Sequence, residues 1–153
     1  CLIRTSTVCH VKYIIIITGD TGSVKASILA GEMNGGNCVV DKMIIQNVHP
    51  QLIPALSGTA SVTKGDAIGA MEFYSITSAI KAADVAAKAA QISLVGITMG
   101  YAVGGKGIVT LTGDVGAVRA AVAAGIEEAT RMDLYIGSTV IPKYAPELFD
   151  SLL

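Results

Sequence analysis

A stretch of twenty residues occurs twice in this 153-residue chain, and this repeat constrains the fold more than any other feature. Residues 12–31 read KYIIIITGDTGSVKASILAG, and residues 106–125 read KGIVTLTGDVGAVRAAVAAG. Ten of the twenty positions are identical at a constant offset of 94 residues. A repeat of this length predicts two copies of one supersecondary unit.

Each copy predicts a buried strand followed by a helix. The β-branched runs at residues 14–18 and 108–112 are typical of strands that are buried on both faces. Asp20 and Asp114 follow a glycine, and each is predicted to cap the next helix with its side chain. Gly31 and Gly125 come at the end of the repeat, so we expect them to stop these helices in the left-handed conformation.

The second copy belongs to a fuller unit. Strand patterns cover residues 67–73, 92–98 and 133–141, and residues 76–90 carry apolar side chains at helical spacing. Ser75 is suited to cap that helix. With the repeated strand and helix, the order is β-α-β-β-α-β, which predicts an α+β fold with one sheet and two helices.

The first copy belongs to a shorter unit. Its predicted elements are a helix at residues 21–30, a loop at 34–37, a helical turn at 50–56 and strands at 1–7, 12–18 and 39–48. Compared with the second unit, it lacks a strand and a helix of roughly 25–30 residues before Cys1, so we expect this chain to be a piece of a longer one. Residues 57–66 predict a linker between a partial first domain at 1–56 and a second domain at 67–153.

Composition restricts the partners. The chain is 52% hydrophobic with a mean hydropathy of +0.60, yet no apolar run reaches the ~18 residues of a membrane span. The net charge is -1 and no cluster of Lys and Arg occurs. We therefore expect neither a membrane nor a nucleic acid as partner, and extensive burial against other subunits instead. Three cysteines without a CxxC motif favour a reducing compartment.

No arrangement of residues predicts an enzyme. Residues 100–106 read GYAVGGK and almost match a phosphate-binding loop. Such a loop continues with Ser or Thr and a helix, whereas a glycine and a β-branched strand follow here. The chain also has no HExxH motif and no Ser/His/Asp set.

The second unit resembles the shell domain of bacterial microcompartments (BMC) over residues 66–146. The matching stretches are DAIGAMEFYSITSAIKAADVAAKAAQISLVG, GGKGIVTLTGDVGAVRAAVAAG and STVIPK. Residues 1–53 resemble the later part of another such domain, and STVC and NVHPQLIPALSG are similar to propanediol-utilisation shell proteins. The resemblance implies a tandem-domain shell protein that forms a homotrimer of pseudo-hexagonal outline. It would join other BMC shell proteins in a compartment shell within the cytoplasm.

The same resemblance implies three kinds of site. Residues expected to line a central pore are Val8, Cys9, His10, Val11, Val103, Gly104, Gly105 and Lys106. Cys9 occupies the position at which three subunits of some relatives together hold a 4Fe-4S cluster for electron transfer. His10 either adds an imidazole ligand or is a solvated loop residue. Residues expected at the tile edges are Lys88, Asn47 and Lys143.

Two alternatives stay open at this point. Lys88 is predicted to pair with Asp84 four residues earlier on a solvated helix face, which is compatible with an edge role. For the whole chain, the alternative to a shell tile is a free soluble trimer of α+β fold that binds a redox group or a small ligand.

Overall fold

The structure is a computed structural model that describes residues 1–9, 12–100, 103–131 and 134–152. Its strands are β1 (Leu2–Cys9), β2 (Lys12–Ile17), β3 (Ala67–Phe73), β4 (Ile92–Met99), β5 (Gly107–Gly113) and β6 (Tyr135–Pro142). Its helices are α1 (Thr21–Gly35), α2 (Leu52–Ser57), α3 (Ile76–Ala89), α4 (Val115–Thr130) and α5 (Pro146–Asp150). Among the described residues, no helix is long and apolar enough to cross a bilayer.

The second unit is a four-stranded antiparallel sheet in the order β4-β5-β3-β6, with α3 and α4 packed against each other and on β3 and β5. Its largest buried side chains include Phe73, Met71, Leu94 and Leu111. The predicted order β-α-β-β-α-β is confirmed. Apolar side chains enclosed between helices and sheet form the core of the molecule.

The first unit contains one hairpin, in which β1 pairs antiparallel with β2. It shares one irregularity of strand pairing with the hairpin of β4 and β5, and it has a second one between Thr7 and Cys9 that the other hairpin lacks. Ile3 is the extra residue of a bulge opposite Ile17, and Val95 is the extra residue of a bulge opposite Leu111. The offset of 94 residues carries Ile17 onto Leu111, so the two copies place a bulge at the same point.

The strand predicted at residues 39–48 is not formed. At an offset of 96 residues, residues 39–46 correspond to β6, whose backbone groups bond to β3. The described part of the first unit has no strand equivalent to β3. A β-branched sequence forms a strand only where a neighbouring backbone supplies the ladder, and residues 39–48 have none.

The predicted helix stops are wrong. Helix α1 continues through Gly31 to Gly35, so much of the loop expected at 34–37 is helical, and α4 continues through Gly125 to Thr130. A β-carbon on Gly125 would lie 2.9 Å from Met71 Sδ and 3.2 Å from the Ala82 carbonyl oxygen. Glycine at 125 therefore serves the close approach of α4 to β3 and α3, and not a change of backbone direction.

The two aspartates occupy equivalent turns but act differently. Asp20 and Asp114 have φ, ψ angles of -63°, 152° and -62°, 147° at the starts of α1 and α4. Asp20 Oδ1 accepts a hydrogen bond of 2.9 Å from Ser23 N, and hydrogen bonds from Ser23 hold the pKa of the Asp20 carboxyl below its usual value. Asp114 makes no such side-chain bond, so the predicted cap is confirmed only at Asp20.

A side-chain amide joins residues 49–57 to the second unit. Gln51 Oε1 accepts a hydrogen bond of 2.8 Å from Leu94 N, and Gln51 Nε2 donates one of 2.9 Å to the Ile92 carbonyl oxygen. Strand β4 is at the edge of its sheet. Gln51 therefore takes the place of a neighbouring strand over these two residues and reduces the exposed edge.

Candidate functional site: the paired loops and the tile edges

The described parts of the two segments predicted to line a pore lie beside each other in one chain. A β-carbon on Gly100 would lie 2.8 Å from Val8 Cβ, and one on Gly105 would lie 3.1 Å from Lys12 Nζ. We call residues 8–12 and 100–106 the paired loops. Each segment joins the two strands of its hairpin, β1 to β2 or β4 to β5, so the tips of the two hairpins are in contact.

Backbone groups close the loop at residues 100–106. Gly100 N donates to the Lys106 carbonyl oxygen at 2.9 Å, and Gly105 N donates to the Gly100 carbonyl oxygen at 3.2 Å. The φ angles of Gly100, Gly104 and Gly105 are 70°, 66° and 82°, a region that glycine enters without strain. A strand and not a helix follows, so the likeness to a phosphate-binding loop is accidental.

The predicted pore residues differ in their environments. Val8 is buried, with 4% of its surface exposed, and anchors β1 against Gly100. Val103 is half-buried and Gly104 is exposed. Cys9 ends β1, and its Cα is paired with that of Lys12, which places its backbone at the tip of the hairpin. The Cys9 side chain and the residues His10 and Val11 lie outside the described part of the chain.

The two lysines of the paired loops differ in their partners. Lys106 Nζ lies 3.0 Å from Glu72 Oε1. Lys12 is exposed and forms no ion pair with any residue that the structure describes. The segment from Thr7 to Lys12 was expected around the opening, but Lys12 was not named among the pore residues, although it is the repeat counterpart of Lys106.

A metal site within one copy is not present among the described residues, because no group of three or more His, Cys, Asp or Glu side chains comes together there. Of the three cysteines, Cys1 and Cys38 are free and exposed.

The two loop residues predicted at the tile edges share an unusual backbone. Asn47 and Lys143 have φ angles of 52° and 49°, and they are the non-glycine residues with positive φ in the described ranges. They lie 96 residues apart, which is the offset that relates residues 39–46 to β6. Lys143 N donates a hydrogen bond of 2.8 Å to the Asp66 carbonyl oxygen, which holds the second of these turns. Both side chains are exposed.

Lys88 forms the predicted pair with Asp84, but not on a solvated face. The Asp84 side chain is only 4% exposed, whereas that of Lys88 is 38% exposed. Asp84 Oδ1 also accepts a hydrogen bond of 2.8 Å from His49 N. The segment that begins at His49 and includes α2 covers this side of α3, and a helical pattern alone does not show that cover.

The internal repeat and its shared bulge agree with a comparison against known families. The model of the BMC domain matches residues 1–48 and 67–144, which is most of the chain. The chain belongs to the BMC-domain family. Its fold is α+β with two tandem BMC domains, the first without an equivalent of β3 and α3 in the described residues.

Two relatives cover almost the whole chain. The bacterial microcompartment shell protein PduT of Citrobacter freundii is 36% identical over 142 residues, which are 93% of this chain and 77% of PduT. The crystal structure of a microcompartments protein from Desulfitobacterium hafniense DCB superposes with a TM-score of 0.91 at 42% identity. That comparison covers 96% of this chain and 82% of the other.

A shorter relative matches half of the chain. The microcompartment shell protein PduA of Citrobacter freundii is 41% identical over 80 residues, which are 51% of this chain and 82% of PduA. PduT and PduA are microcompartment shell proteins, and they confirm the predictions of a shell protein, not an enzyme, located in the microcompartment shell.

Proposed function

We propose that three copies of this chain form a flat tile of the shell, with the paired loops of each copy around a central opening. The contact between Lys12 and Gly105 carries the proposal, because it brings the tips of both hairpins to one place in the chain. Three chains with two domains each give a tile with six domains and a pseudo-hexagonal outline. The tile joins others through edges that include Lys88, Asn47 and Lys143.

Main-chain groups and lysine side chains determine the polarity and the charge of the proposed opening. Gly104 is exposed and presents main-chain groups in place of a side chain, whereas Gly105 is buried behind it. Lys12 adds one charge per chain that no residue described by the structure balances. Three such charges around one axis produce a positive potential that favours anions over cations. In a tile that holds no cluster at its axis, passage of small anionic molecules is the transport role that follows from these groups.

We infer that the Cys9 thiols of three copies bind one 4Fe-4S cluster at the axis. The position of Cys9 at the tip of β1, paired with Lys12, supports this inference. Thiolates are the usual ligands of such clusters, and one thiolate per chain leaves a fourth iron for a non-protein ligand. A bound cluster would supply one-electron chemistry at the shell. The charge of Lys12 would stabilise the thiolates and the anionic cluster beside it.

Anaerobic reconstitution with iron and sulfide tests the cluster. We expect wild type to take up about four iron atoms per three chains, with cluster absorbance and an electron paramagnetic resonance signal after reduction. Cys9→Ser should lose both. Cys1→Ser and Cys38→Ser are matched controls, since both cysteines are free and exposed, and they should behave as wild type. Equal iron uptake by wild type and Cys9→Ser would show that Cys9 is no ligand.

Electron microscopy of the concentrated protein tests the tile. Extended sheets of hexagonal symmetry are expected, and native mass spectrometry of the dilute protein should give three chains. A free redox or ligand-binding trimer would give the same mass without sheets. A stable monomer would contradict the assembly altogether.

A further inference from the structure

A cavity of about 220 Å³ lies where the two units meet. Its walls come from β1, from the edge strand β4 and from the segment in which α2 ends. The lining residues that the argument uses first are Arg4, Leu56, Gly58, Gly96 and Thr98. Among the described residues of this lining, Arg4 is the one with an ionisable side chain. The cavity therefore has one positive charge in its wall and no described carboxylate.

Arg4 and Gly96 hold equivalent positions in the two units. Arg4 is paired with Ile16 and Gly96 with Thr110, and the offset of 94 residues carries Ile16 onto Thr110. Both positions come directly after the bulge of their strand. The first unit thus places a long cation on the cavity where the second unit has no side chain, and a β-carbon on Gly96 would meet nothing within 4 Å. A strand glycine with open space beside it is typical of a place where another molecule approaches the backbone.

The guanidinium group of Arg4 is held at the cavity wall without being neutralised. Arg4 Nη1 donates a hydrogen bond of 2.9 Å to the Leu56 carbonyl oxygen. A carbonyl does not balance a full charge, and no described residue forms an ion pair with Arg4. The other N–H groups of the planar guanidinium suit a carboxylate, whose two oxygens accept parallel hydrogen bonds. Thr98 is exposed, and its hydroxyl can donate a further hydrogen bond.

We propose that this cavity binds a small aliphatic monocarboxylate. The carboxylate group pairs with Arg4, and the alkyl chain lies over Gly96. Apolar walls suit that chain, because Leu56, Val95 and Ile97 line the cavity and are buried. One cation balances a carboxylate, whereas a phosphate group carries close to two negative charges and would leave one of them unbalanced. The site lies within one chain, so the proposal does not depend on the trimer, the pore or the cluster.

A titration of the full chain with sodium butanoate tests the site. Amide signals are followed by nuclear magnetic resonance at constant ionic strength, and we expect saturable shifts at Gly58, Gly96 and Thr98. Butanamide has the same shape without the charge and should bind at least about tenfold more weakly, because the charge-assisted hydrogen bonds are lost. Equal binding of butanamide, or no saturable shift at these residues up to about 100 mM butanoate, would overturn the proposal.

Two variants test the two halves of the site separately. Gly96→Leu fills the cavity but leaves Arg4 and its bond to Leu56 in place, so we expect an unchanged melting temperature and binding weaker by about tenfold or more. Arg4→Gln removes the charge and should weaken binding at least as much. Arg119→Gln is the matched control, since Arg119 is an exposed cation on α4, and it should bind butanoate as wild type does. Wild-type affinity in folded Gly96→Leu would overturn the proposal, because the anion would then bind elsewhere.

Discussion

Identical residues of the repeat have different energetic roles, and Gly31 and Gly125 show this most clearly. Both are in helix interiors. Gly125 is enclosed by Met71 and the backbone of Ala82, whereas the same position in the first unit faces open space. The difference between the two positions in the free-energy cost of adding a methyl group therefore comes from the neighbouring elements and not from the helix itself.

Alanine substitution at these two positions should change stability in opposite directions. Gly31→Ala should stabilise the chain by about 1 kcal/mol, since alanine favours the helix over glycine. Gly125→Ala gains the same propensity but forces a methyl group against a buried sulfur and a carbonyl, an overpacking cost of about 1–3 kcal/mol, and should destabilise by up to about 2 kcal/mol. Denaturant unfolding of both variants measures the difference. Equal destabilisation at both positions would mean that α1 is packed in solution as α4 is.

At the scale of elements, an ion pair links the two helices of the second unit. Lys81 Nζ on α3 contacts Glu128 Oε1 on α4. The hydrogen bond from Lys81, and then its charge, hold the pKa of Glu128 below its usual range despite the opposing effect of burial. A carboxyl whose pKa is lowered by folding stabilises the protein above its ordinary pKa, and this stabilisation is lost as pH falls through the lowered value.

Glu128→Gln should therefore reduce stability in a pH-dependent manner. At neutral pH we expect a loss of up to about 1 kcal/mol, because the pair is partly exposed to water. The difference from wild type should shrink towards zero below pH ~4, where the unfolded and then the folded carboxyl are protonated. Urea unfolding at several pH values measures it. Glu127→Gln is the control, since Glu127 and its partner Arg131 are both largely exposed and should contribute little.

At the scale of the whole molecule, the residues predicted at the tile edges differ in how much they contribute to the stability of the fold. Lys143 is exposed and its turn is held by a main-chain hydrogen bond to Asp66. Lys88 instead neutralises the buried carboxylate of Asp84. A substitution at Lys143 therefore tests assembly alone, whereas one at Lys88 tests assembly and folding together.

Lys143→Asn should prevent sheet formation and leave the single tile intact. Asparagine tolerates positive φ and already occupies the equivalent position 47, so the turn should be kept while the charge is lost. We expect an unchanged melting temperature, an unchanged native mass and fewer or no hexagonal sheets in electron micrographs. Sheets as extensive as those of wild type would exclude Lys143 from the edge contact.

Lys88→Glu should weaken the sheets and also lower stability. It leaves Asp84 without its cation and adds a second carboxylate beside it, at a cost of about 1–3 kcal/mol. Thermal unfolding measures this cost separately from assembly. A stable Lys88→Glu chain would mean that Asp84 is better solvated in solution than its 4% exposure indicates.

The sequence by itself determined the local units of this protein. The strands around the repeat, the order β-α-β-β-α-β and the turns at Asp20 and Asp114 follow from patterns within a few residues of each other, so they were predictable. The resemblance to the BMC-domain family was recognisable from the same stretches of sequence. The pore residues and Cys9 as a ligand stay predictions, since they concern an assembly that one chain does not contain. The domain boundaries also stay predictions.

Only the tertiary structure decided the features that depend on distant neighbours. Residues 39–48 have the sequence of a strand, but no described strand lies beside them. Position 125 requires glycine because β3 and α3 pack closely against it. The contact of Lys12 with Gly105, the bond of Gln51 to β4 and the burial of Asp84 each join residues more than thirty positions apart. Local propensity decides which backbone shape a segment prefers, whereas ladder hydrogen bonds, close packing and burial exist only when the partner is in place.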